Sequence, residues 1–113
     1  MKIIDTAISL DELKSMALRG FGDLVKAVVD IEKEIMAVDG ELHADEEAFL
    51  LENGSTQENL WGINIYPEIA GPEWIEFDSI INIRPSQGNR SRGVDDPAIR
   101  AKILKIVEKR ARR

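Results

Sequence analysis

Cysteine is absent from the chain, which removes a disulfide framework, a thiol nucleophile and any Cys-ligated zinc or iron–sulfur site. Histidine occurs once, at His43, so a His-rich zinc centre is excluded and serine-hydrolase chemistry would have to use this one ring as base. No apolar run approaches the roughly 18 residues needed to span a bilayer. The N-terminus MKIIDTAISLDEL has one Lys and a short apolar stretch broken by Asp5, so it lacks the apolar core of a signal peptide. A cytoplasmic protein with no membrane association is the expectation. Positive charge is in deficit, with 15 Lys and Arg against 21 Asp and Glu and a formal net charge of -6. Such a surface disfavours nonspecific binding to nucleic acid or membrane, because neutralising phosphates needs a net positive field. The chain contains no GxSxG turn, no Walker or dinucleotide glycine pattern and no EF-hand loop.

What is present reads as one domain, residues 1–113, large enough for a single core. Ser9-Leu10-Asp11-Glu12 is a capping box, and the helix it starts would bury Leu13, Met16 and Ala17 and stop at Gly20 or Gly22. At the other end Asp96 can cap and Pro97 fits the first helical position. Ile99, Ile103, Ile106 and Val107 then recur at helical spacing to about Arg110. Residues 25–38 fit a helix or a strand equally. Asp39-Gly40 tips the choice, because such a pair between alternating runs signals a two-residue hairpin turn. That turn would set Ala37 opposite Leu42, Ile35 opposite Ala44 and Val29 opposite Leu50, with an acidic face on the other side. The competing assignments are a helix at 22–38 and a short helix at 45–53 ended by Gly54. LWGINIY and WIEFDSIINIR alternate as two further strands. The expected architecture is α+β: an antiparallel meander of about four strands, N- and C-terminal helices packed on one face, and the other face at least partly open.

That open face would gather Asp30, Glu32, Glu34, Glu41, His43, Asp45, Glu47, Asn64, Glu76, Asp78, Asn82 and Arg84. Like charges opposite one another need relief from solvent, from arginines folded over the face, or from a bound cation. Glu34, Asp45 and Glu47 are the candidate metal ligands, since hard oxygen donors suit magnesium, calcium or manganese. His43 is the candidate general acid or base. INIRPSQGNRSRG concentrates Arg84, Arg90 and Arg92 in an acidic chain, and no acidic residue falls between Ser79 and Val94. Arginine forks suit phosphate or carboxylate, but Asp95 and Asp96 already occupy the helix N-terminus that follows. Three readings stand: a structural loop neutralising the acidic face, a site for an anionic small molecule or protein carboxylates, and a nucleic-acid contact. The last is the weakest, for want of aromatics to stack bases.

GELHADEE, NGSTQENLWGINIY and FDSIINIRPSQGNRSRGVDDP, in this order and spacing, resemble a family of short prokaryotic proteins classed as a domain of unknown function. The likeness covers nearly the whole chain and implies no activity, cofactor or partner. The leading expectation is a small binding or regulatory module for a charged ligand or partner. Its contacts would come from Asp45, Glu47, Asn64, Asn82, Arg84, Gln87, Asn89, Arg90 and Arg92. The alternative is a small enzyme, metal-assisted or not, with His43 as proton carrier. Cofactor and oligomeric state are not legible.

Overall fold

The computed structural model describes residues 1–112. Its elements run β1 (Lys2–Ile4), β2 (Ile8–Ser9), α1 (Leu10–Arg19), β3 (Val25–Asp30), β4 (Ile35–Val38), α2 (His43–Glu52), β5 (Leu60–Ile65), β6 (Ile75–Glu76), α3 (Pro97–Arg110) and β7 (Ala111–Arg112). Short 3-10 turns lie at Gln57–Asn59, Pro72–Trp74, Ile80–Asn82 and Pro85–Gln87. The main sheet is antiparallel throughout, in the order β1-β4-β3-β5-β6. A separate parallel pairing of β2 with β7 ties the two chain ends together. The α+β class and the helices at both chain ends stand as expected.

The terminal helices begin where their caps demand. Ser9 Oγ accepts from Glu12 N at 3.1 Å to start α1, and Asp96 Oδ1 accepts from Ala98 N at 2.8 Å to start α3, with Pro97 in the first turn. Both helices lie on one face of the sheet. Leu13, Met16 and Ala17 of α1 and Ile103, Ile106 and Val107 of α3 pack there on Val25, Ala27, Val29, Met36, Val38, Trp61, Ile63 and Ile65. Each large apolar side chain so buried contributes roughly 1.5–3 kcal/mol against the entropy of ordering the chain.

The hairpin is the main correction to the sequence reading. The chain reverses at residues 31–34, not at Asp39-Gly40, and β3 pairs with β4 so that Asp30 faces Ile35 and Ala27 faces Val38. Asp30 drives this turn. Its Oδ1 accepts from Glu32 N and Lys33 N, both at 2.9 Å, and its Oδ2 from Ser55 Oγ at 2.7 Å. Glu34 takes the left-handed φ of 57° that closes the turn. In place of the strand expected over residues 41–50, His43–Glu52 form α2, close to the competing short helix. His43, Glu46 and Leu50 make its buried stripe at i, i+3 and i+7. A glutamate inside that stripe hid the helical period, and the alternation of Ala44, Glu46, Ala48 and Leu50 imitated a strand.

Two consequences follow from the corrected register. The second sheet face is covered, because Leu50 of α2 packs on Val28, Ala37 and Leu60 with Ile81 beside them. The acidic face drawn from the hairpin does not exist in that form. The strand expected through residues 75–83 also ends early, at Glu76. Beyond it Ser79 crosses β5 so closely that a Cβ on Gly62 would meet the Ser79 Cβ at 2.6 Å, and the chain turns into the 3-10 segment at Ile80–Asn82. Ile83, which the alternation of WIEFDSIINIR would put on one face with Ile75 and Ile81 and into the core, is exposed instead.

Candidate functional site

Where β6 stops, the backbone of β5 loses its neighbour, and side chains of the following segment take its place. Asn82 Oδ1 accepts from Gly62 N at 2.8 Å while its Nδ2 donates to Gly62 O at 3.0 Å, so one carboxamide pairs both polar groups of that residue as a strand would. The same Nδ2 reaches Arg92 O at 3.0 Å. Two residues away, Arg84 donates to Leu60 O and Gln57 O, and its guanidinium lies 4.3 Å from the Trp61 ring centre. Burial holds its pKa below the ordinary arginine value, an effect partly opposed by the charge of Glu47. Gln87 Nε2 donates to Glu58 O at 3.2 Å.

Asn89 completes the network from within the loop. Its Nδ2 donates to Asn82 O at 2.8 Å, Gly93 O at 2.9 Å and Ser91 O at 3.2 Å, and its Oδ1 accepts from Asp95 N at 2.8 Å. Asp95 in turn accepts from Ser91 Oγ at 2.6 Å and Arg90 N at 3.1 Å, which holds its pKa below the usual carboxylate range. Four residues singled out by sequence, Asn82, Arg84, Gln87 and Asn89, therefore direct their donors into the fold. Within the loop the Arg90 side chain has no partner among the described residues.

The same sheet face is different at its other end. His43, the first residue of α2, is buried, and its Nε2 lies 2.7 Å from Ile63 O. A carbonyl can only accept, so the ring carries its proton on Nε2 and leaves Nδ1 as an acceptor. Burial pushes the His43 pKa below its ordinary value, with the Ile63 carbonyl opposing and nearby Lys26 adding to the depression; the ring is neutral near pH 7. Beside it opens a cavity of about 240 Å³ lined by Lys26, Leu42, His43, Ser79, Ile80 and Arg92, among others. Lys26 projects from β3 opposite Asn64 of β5, which in turn faces Glu76 of β6. Asn64 Nδ2 donates to Glu76 Oε1 at 2.8 Å, and Tyr66 Oη donates to the same oxygen at 3.0 Å. Arg92 Nε donates to Asp78 Oδ1 at 2.6 Å, and its two terminal nitrogens make no hydrogen bond among the described residues. The Lys26 ammonium has no ion-pair partner among the described residues and rests 5.0 Å from the Phe21 ring centre.

The cleft therefore collects His43 and Arg92, with Asn64 next to them, out of the residues named from sequence. Glu34, Asp45 and Glu47 are not brought together. Glu34 sits in the β3–β4 turn, where Lys109 Nζ donates to it at 2.9 Å and holds its pKa low. Asp45 is exposed on α2 and Glu47 is half-buried near Arg84. Among the described residues no three His, Asp or Glu side chains form a metal-sized group. Ser79 Oγ accepts from Ile81 N at 3.3 Å and makes no hydrogen bond to His43. Ser86 and Ser91 do not line the His43 cavity.

Two residues escaped the sequence reading. Lys26 was the one cation inside the apolar run VKAVV, and that misfit was its available signal. Glu46 is fully buried; Gly40 N donates to its Oε2 at 2.9 Å while Oε1 finds no partner. Burial pushes its pKa up to about 9, so it is a neutral acid at physiological pH. Gly40 is required for this contact, since a Cβ there would meet the Glu46 Cγ at 2.6 Å.

Fold and site together define a small α+β protein with an antiparallel sheet, whose second face carries a polar network at one end and a half-open cationic cleft at the other. The chain belongs to the family described as "Protein of unknown function (DUF5674)", whose model matches residues 2–110. No curated protein and no solved structure matches it. No helix among the described residues is long and apolar enough to cross a membrane.

Proposed function

We propose that the protein is a binding module for a small anionic ligand, held in the cleft formed by Lys26, His43 and Arg92. The observation that carries this reading is the unpaired Lys26 ammonium. In a chain of net charge -6 it lines one cavity with the neutral His43 ring and the free end of Arg92. A carboxylate or phosphate oxygen there would meet two cations; a protonated group on the same ligand could donate to His43 Nδ1. Asn64, Glu76 and Tyr66 form the adjoining polar wall. A binding role fits better than catalysis, because His43 is anchored through Nε2 and no hydroxyl is aligned on the ring.

His43 is the only histidine, so its ring protons give an unambiguous NMR report. Adding acetate or inorganic phosphate should shift them and raise the His43 pKa toward its ordinary value, since an anion beside the ring favours the imidazolium. Lys26→Met should weaken the response at least about tenfold, in line with loss of one charge-assisted contact. A His43 titration indifferent to both anions, or a response unchanged in Lys26→Met, contradicts the reading.

A further inference from the structure

Lys26 and Leu42 also line a second, larger cavity of about 500 Å³, lying between the C-terminal end of α1 and the link from β4 to α2. The two cavities therefore adjoin across these two residues. The walls of the larger one include the apolar groups of Met16, Phe21, Leu24 and Leu42. Phe21 is 50% exposed and Leu42 55%, while Ile80, on the rim of the smaller cavity, is 68% exposed. These are large apolar groups left facing solvent beside a cation that has no carboxylate partner among the described residues. Ligand sites ordinarily combine an apolar lining with a few placed polar groups, at volumes of roughly 300–1,000 Å³. The Lys26 ammonium lies over the Phe21 ring, so the charged and apolar parts meet at one point.

From this juxtaposition we infer that the ligand is an amphipathic anion: a carboxylate-bearing small molecule whose head sits between Lys26, His43 and Arg92 and whose apolar body crosses Leu42 into the cleft beside Phe21. This rests on the binding role assigned above to the smaller cavity and adds the apolar half of the site. The link that separates the clefts is fixed from below, where Gly40 N donates to the buried Glu46 and Asp39 holds a left-handed φ of 68°. The ridge is thus a built feature of the fold.

The test compares acetate with octanoate, by calorimetry and by ¹H–¹⁵N chemical-shift mapping on the intact protein. A buried methylene is worth about fourfold in affinity, so octanoate should bind at least ~30-fold more tightly than acetate and should shift Phe21, Leu24 and Leu42 as well as His43. Phe21→Ser and Leu42→Ser, both changes at exposed positions, should reduce that advantage to within about threefold, with acetate affinity measured on each variant as the reference. Octanoate binding no tighter than acetate, with both still moving His43, overturns the amphipathic assignment and leaves the anion-binding reading standing. Failure of either anion to move His43 overturns both. Tight octanoate binding that is insensitive to Phe21→Ser and Leu42→Ser places the tail elsewhere and also overturns the inference.

Discussion

The two ends of the second sheet face use the same kinds of side chain for opposite purposes. Around Asn82 and Asn89, amides and a guanidinium are turned inward, where they pair backbone groups that β6 leaves without a strand. Around Lys26 and His43, an ammonium, a ring nitrogen and the end of Arg92 border an open cavity. Chemistry-bearing residue types therefore do not identify a site; what distinguishes the cleft is that the Lys26 ammonium, His43 Nδ1 and the terminal nitrogens of Arg92 have no backbone partner among the described residues.

The largest effects are expected where the network replaces a strand. Asn82→Ala would strand Gly62 N–H and C=O, both buried, and release Arg92 O. At ~1–3 kcal/mol per unsatisfied group, it should cost about 3 kcal/mol or more in urea unfolding. Gly62→Ala should cost ~1–3 kcal/mol or more through overpacking against Ser79. An Asn82→Ala protein as stable as wild type would remove the strand-replacement account.

Glu46 gives the next effect, with the opposite sign. Its folded pKa of about 9 lies above the ordinary value of 4.5, so across that window the folded state binds more protons than the unfolded state. The neutral acid contributes stability that is fully present below the lower value and is lost as pH rises through the higher one, with a slope of up to ~1.4 kcal/mol per pH unit. Glu46→Gln removes the titration. It should therefore be more stable than wild type by a few kcal/mol near pH 8, and the gap should close toward pH 4.5. Thermal melts of both proteins across this range test it; parallel pH profiles would contradict the burial of a protonated acid. His43 acts at the acidic end. Its folded pKa lies below 6.5, so stability falls as pH drops through 6.5, and His43→Gln should flatten that limb.

Smaller effects on stability should accompany larger ones on binding at the cleft. Lys26→Met keeps the strand and the apolar stem, so its melting temperature should stay within a few degrees of wild type while anion binding falls about tenfold. Arg90→Ala is expected to change stability by less than ~0.5 kcal/mol and anion binding not at all, because the Arg90 side chain lies outside both the network and the cleft.

Much of the fold was legible because the signals were local. The Ser9 capping box and the Asp96-Pro97 start are contacts within one turn, and the alternating stretch LWGINIY does form a strand, β5, although both of its faces are buried. The hairpin was misread because two turn signals compete. Asp39-Gly40 has the stronger sequence pattern, but Asp30 wins through Ser55, a partner 25 residues away. Glu46 misled for a related reason, since it alternates with Ala44, Ala48 and Leu50 as a strand residue would, and is instead a buried acid on a helix. The loop stood out by its arginines, yet the roles of Asn82 and Asn89 depend on where β6 ends, which no periodicity announces. Lys26 was passed over because its neighbours across the sheet, Asn64 and His43, come together only once α2 lies on that face.

The contrast between spent and free polar groups is tested most directly by ¹H–¹⁵N chemical-shift mapping of the whole protein titrated with acetate, in parallel on Lys26→Met and Arg90→Ala. The account predicts shifts confined to Lys26, His43, Ser79 and Arg92, lost in Lys26→Met and retained in Arg90→Ala. Shifts centred on residues 84–91, or a cleft response that survives Lys26→Met, would contradict it.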